Sequence, residues 1–86
     1  MLKVSKFGAS WCSPCGLIKK VLDKIKPNFS DVDFEEIDID DSPELAQQFN
    51  VRAVPTILFV KDGQVVDTLV GVQKEQALID TINKWK

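Results

Sequence analysis

The chain has 86 residues, 44% of them hydrophobic and 28% charged. That is enough for one folded domain, residues 1–86, around one modest core, and it excludes disorder. Eleven basic residues against thirteen acidic ones give a net charge of -2, which argues against a nucleic-acid partner held on a basic surface.

The N-terminal segment "MLKVSKF" has no continuous apolar stretch and no small-residue cleavage pattern, so no secretory signal is expected. "LKVSKF" (2–7) predicts a first strand, ending at Gly8. A helix follows from about Ser13, with Leu17, Ile18, Val21, Leu22 and Ile25 in helical repeat. Pro14 suits its first turn and Pro27 ends it. Lys19, Lys20, Lys24 and Lys26 read as its solvated face. "VDFEEIDI" (32–39) predicts a second strand. Ser42 is expected to cap a short helix with Pro43 at its first position, ending near Asn50. "TILFV" (56–60) predicts a third, buried strand and is far too short to span a membrane. Asp62-Gly63 is a hairpin turn signal, and "VVDTLV" (65–70) returns as a fourth strand, broken by Gly71. A last helix carries Leu78, Ile82 and Trp85 on one side.

The order is β-α-β-α-β-β-α, an α/β fold with a four-stranded mixed sheet and three flanking helices. The first two strands should be parallel, joined by a right-handed crossover, and the last two should form an antiparallel hairpin. There is no internal repeat, linker or low-complexity segment. The expected address is the cytoplasm, where a purely structural disulfide would be out of place.

Both cysteines, Cys12 and Cys15, lie in "SKFGASWCSPCGLIKK" (5–20), at the strand-to-helix junction. Structural zinc needs four protein ligands. With two cysteines and no histidine, one chain cannot supply them. A metal or iron-sulfur site shared between chains stays open, whereas a pair of buried structural thiols would leave that position unexplained. The position does suit redox chemistry. At the helix N-terminus, unpaired N–H groups and the helix dipole stabilise a Cys12 thiolate. Cys15 lies one turn on, close enough to bridge. Cys12 can attack a disulfide, and Cys15 can then attack the Cys12 sulfur and release the reduced target. Pro14 stiffens the turn between them.

"FGASWCSPC", "NVRAVPTILFVKDGQVV" and "LVGVQ", in that order, resemble thioredoxins over nearly the whole chain. The resemblance implies a thioredoxin-like fold and a protein-disulfide reductase that cycles Cys12–Cys15 between dithiol and disulfide. It implies Cys12 as the attacking, exposed thiol and Cys15 as the shielded, resolving one. Trp11, with Ser13 and Pro14, would shape the docking surface. Pro55 would follow a cis bond after Val54, opposite the cysteines, and Val54 and Gly71 would receive an extended substrate. No bound organic cofactor is needed. A separate, thioredoxin-reductase-like donor would supply electrons, protein disulfides would be the substrates, and a monomer is expected.

Several positions depart from the family's pattern. The sequence begins at the strand that enters WCSPC, so an architecture without the family's usual first strand and helix, close to that of glutaredoxins, is expected. Ser13 replaces a commoner glycine. Gly8 stands where a second tryptophan is usual and should open the groove. Lys6 occupies the position of the family's buried aspartate and Glu36 that of its buried lysine. Lys6 alternates with Leu2 and Val4, and Glu36 with Phe34, so a partly buried Lys6–Glu36 ion pair is expected beneath the cysteines. Glu36 would accept the Cys15 proton, and Lys6 would hold the carboxylate in place. Two rivals to the reductase remain: a glutathione-dependent, glutaredoxin-like reductase, and a non-catalytic binding or processivity subunit on the same surface.

Overall fold

The computed structural model describes residues 1–86. Strand β1 (Leu2–Gly8) leads into helix α1 (Ser13–Ile25), which runs on into a 3₁₀ turn at Lys26–Asn28. Strand β2 (Asp33–Asp38), helix α2 (Pro43–Gln48), the hairpin β3 (Thr56–Lys61) and β4 (Gln64–Val70), and helix α3 (Glu75–Trp85) follow. The sheet order is β2-β1-β3-β4. β1 pairs parallel with β2 and antiparallel with β3, and β3 pairs antiparallel with β4.

Local chemistry explains the boundaries. Asp62 and Gly63 both take positive φ, 54° and 81°, the conformation a two-residue hairpin turn needs. Asn50 (φ 56°) turns the chain out of α2, as the left-handed residue after a helix commonly does. Ser42 stands at the α2 N-cap position, but its side chain makes no capping bond, so Pro43 and Glu44 favour the helix start without it.

The main core lies between one sheet face and helices α1 and α3. It joins Leu2, Val4, Ile57 and Phe59 of the sheet to Ile18, Leu22, Ile25, Leu78 and Ile82 of the helices. Leu17, expected on the buried face of α1, is exposed instead; Cys15, Ile18, Leu22 and Ile25 form the buried stripe. Trp85 is half-buried, and its indole N–H donates to Asp67 at 3.0 Å. On the opposite sheet face, Phe7, Leu58 and Ala46 make a smaller cluster under α2. Ile37 and Val60 pack against this cluster, and polar pairs flank it: Lys3 pairs with Glu35 at 3.1 Å, and the Ser5 hydroxyl donates to Glu35 at 3.3 Å. No helix is long and apolar enough to cross a membrane.

Candidate active site

Strand register collects the site at one end of the sheet. Phe7, next to the last residue of β1, pairs with Thr56, the first of β3, and Thr56 pairs with Val70, the last of β4. Gly8 pairs with Asp38, the last residue of β2. The segments that leave this end therefore carry Trp11 and the cysteines, Val54–Pro55, Gly71, and the acidic stretch after β2. The Val54–Pro55 peptide is cis, as the resemblance implies. Pro55 is buried and Val54 half-buried. The Gly71 N–H donates to the Pro55 carbonyl at 2.8 Å. Gly71 has φ +86°, a conformation that L side chains rarely adopt.

Cys12 and Cys15 are joined by a disulfide, with Cα atoms 5.4 Å apart. Cys12 is the N-cap of α1, and its sulfur accepts the Cys15 backbone N–H at 3.2 Å. The helix N-terminus thus holds the Cys12 sulfur where a thiolate gains most from the exposed amides. Cys12 is 9% exposed and Cys15 3%. The order of exposure is the one expected, but in the disulfide state Cys12 is itself largely covered. Ser13 and Pro14, on the first turn, are exposed. Trp11 is 65% exposed, and its indole N–H donates to the Asp40 carboxylate at 2.9 Å. Asp40 is not singled out by the sequence; it is one acid among several in "EIDIDDSPE" (36–44), and only the fold shows which one the indole meets.

Lys6 and Glu36 are register partners on β1 and β2, and the Lys6 ammonium donates to Glu36 at 3.3 Å. The expected ion pair is present, but its burial is uneven. The lysine side chain is 9% exposed and the glutamate side chain 44%. Both line a polar cleft of about 440 Å³, together with Gly8, Lys19, Asp38 and Asp41. Gly8 borders this space. A Cβ there would stand 3.2 Å from the Cys15 sulfur and 3.4 Å from Lys6 Cε. At the cleft's α1 side, the Asp23 carboxylate accepts a hydrogen bond from Lys19 at 2.8 Å. That bond, then the Asp23 charge, then the Glu36 charge, hold the Lys19 ammonium above its ordinary pKa.

A family model described as Thioredoxin matches residues 2–84. Thioredoxin 1 of Synechococcus elongatus is 39% identical over 79 residues, covering 91% of this chain and 74% of that relative. Thioredoxin H2 of Arabidopsis thaliana is 40% identical over 75 residues, covering 87% of this chain but only 56% of the plant protein's length. The crystal structure of thioredoxin NaTrxh from Nicotiana alata superimposes with a TM-score of 0.93 at 39% identity, covering 99% of this chain and 73% of that one.

Proposed function

This chain belongs to the thioredoxin family of thiol–disulfide oxidoreductases, and we propose that it reduces disulfides in partner proteins through Cys12 and Cys15. One observation carries this reading: a disulfide-bonded pair whose first sulfur caps α1, at the sheet end where Pro55 and Gly71 also emerge.

In the reduced protein the Cys12 thiolate attacks one sulfur of the target disulfide. That bond breaks, the other target sulfur leaves as a thiolate, and a mixed disulfide forms. The Cys15 thiolate then attacks the Cys12 sulfur, and the second target sulfur departs as a thiolate that takes up a proton. The target gains two electrons and this chain ends as the Cys12–Cys15 disulfide. A thioredoxin-reductase-like donor restores the dithiol. Trp11, Ser13, Pro14, Val54 and Gly71 form the docking surface, with Pro55 buried behind Val54, and the exposure of Trp11, Val70 and Val72 supports this. The cytoplasm suits a dithiol that must be re-reduced in every cycle.

Glu36 accepts the Cys15 proton, directly or through water, and Lys6 holds the carboxylate. Glu36→Gln then slows the resolving step about tenfold near neutral pH. That is less than a fully buried general base would cost, because solvent reaches this carboxylate and competes with it. The attack by Cys12 keeps its rate. Single-turnover kinetics with a quenched mixed disulfide separates the two steps, and equal rates of resolution in both proteins would remove Glu36 from the mechanism.

The whole reading is tested by turnover of a protein disulfide with two electron sources. Thioredoxin reductase with NADPH supports turnover, and glutathione with glutathione reductase does not. Turnover with glutathione alone would make the chain a glutaredoxin-like enzyme, and turnover with neither would make it a binding module.

A further inference from the structure

Of the 21 buried residues, Lys6 is the only charged one. Its ammonium has three donors, and its one side-chain partner is Glu36. That carboxylate lies toward solvent, where its field is screened; the lysine lies inward, where charges interact more strongly. Cys15 comes near the lysine stem on the Gly8 side: a Cβ at Gly8 would stand 3.2 Å from the Cys15 sulfur and 3.4 Å from Lys6 Cε. The Cys15 sulfur and Lys6 Cε flank the same point, the space left by the missing side chain of Gly8. The other charged groups on this cleft are Lys19 of α1, which is paired with Asp23, and Asp38 and Asp41 beyond β2. Asp38 spends one carboxylate oxygen on the Asp40 N–H at 2.8 Å.

The geometry points to Lys6 as a positioning residue that stabilises the Cys15 thiolate and thereby sets the redox poise of the pair. This rests on the reading of Cys15 as the resolving thiol. In the resolving step Cys15 enters as a thiolate, the Cys12–target bond breaks and the Cys12–Cys15 bond forms. The ammonium lowers the cost of holding that negative sulfur in a buried place. The disulfide carries no charge and gains nothing, so the cation favours the dithiol state above the Cys15 midpoint. A buried cation thus makes the protein a weaker reductant and a readier resolver of mixed disulfides.

The test uses the full chain with Cys12→Ser, so that Cys15 is the lone thiol, and follows its thiolate absorbance against pH. Lys6→Met raises the midpoint by about one unit, a tenfold loss of thiolate at a fixed pH below it. Lys6→Arg restores the original midpoint. The double variant Lys6→Met/Glu36→Gln, which leaves no unpaired charge, shows the same rise and guards against a single variant that fails to fold. In the protein with both cysteines, Lys6→Met lowers the reduction potential above the midpoint by about 30 mV for each tenfold change. A midpoint that does not move in Lys6→Met or in the double variant overturns the proposal. Loss of the reductase reading looks different: Cys15 would still titrate as Lys6 dictates, while the unsubstituted protein would turn over no disulfide.

Discussion

Cys12→Ser abolishes reduction of protein disulfides, and Cys15→Ser converts the chain into a trap that stays covalently joined to its target. The two effects differ because the cysteines meet the target at different steps. Without Cys12 no sulfur capping α1 remains to attack, and the serine hydroxyl is a far poorer nucleophile at neutral pH. Without Cys15 the first exchange still occurs, but the mixed disulfide has no internal thiol to break it. Turnover assays and non-reducing gels of the two variants read these outcomes directly. Alkylation of the reduced wild-type chain near neutral pH gives an independent check, since the capping sulfur should be labelled first. Preferential labelling of Cys15, or a trapped adduct in Cys12→Ser alone, would reverse the assignment.

Phe59→Ala costs about 3–5 kcal/mol of stability and lowers the melting temperature by more than roughly 10 °C. Phe59 is fully buried in the main core between the sheet and the helices, on the central strand β3. Nothing nearby can fill the lost ring without moving a strand that is paired on both sides. The loss is a large part of the roughly 5–15 kcal/mol that typically holds a domain together. Leu17→Ala, on the exposed side of α1, changes stability by less than about 0.5 kcal/mol. Urea unfolding of both variants tests the contrast; equal midpoints would mean that the core is not where the packing puts it.

Much of the fold was legible because its signals are local. "TILFV" reads as buried because β3 sits between two strands, and Thr56 to Phe59 are all covered. Asp62-Gly63 marks its turn through φ alone. The place of β3 beside β1 was not legible. That pairing joins segments some fifty residues apart, and no local preference encodes it. Alternation correctly put Lys6 and Glu36 on one face and in contact. It could not show that Glu36 lies on an edge strand, and the edge is what leaves the carboxylate in solvent while the lysine is covered. Leu17 misled for a related reason: a helix stripe is only as wide as the surface it meets, and α1 meets the sheet through Cys15, Ile18, Leu22 and Ile25.

Strand β2 leaves one row of backbone N–H and C=O groups without a neighbour. Such a rim is a template on which further chains can add, strand upon strand. Here it is guarded by Asp33, Glu35, Glu36 and Asp38, with Asp31, Asp40 and Asp41 close on either side. A second copy laid along this rim would bring like charges face to face, at a cost that grows with every residue paired. Colloidal stability is thus written into the same acidic segment that supplies partners to Lys6 and Trp11. The guard is a matter of charge at an exposed rim, so it weakens as screening salt rises.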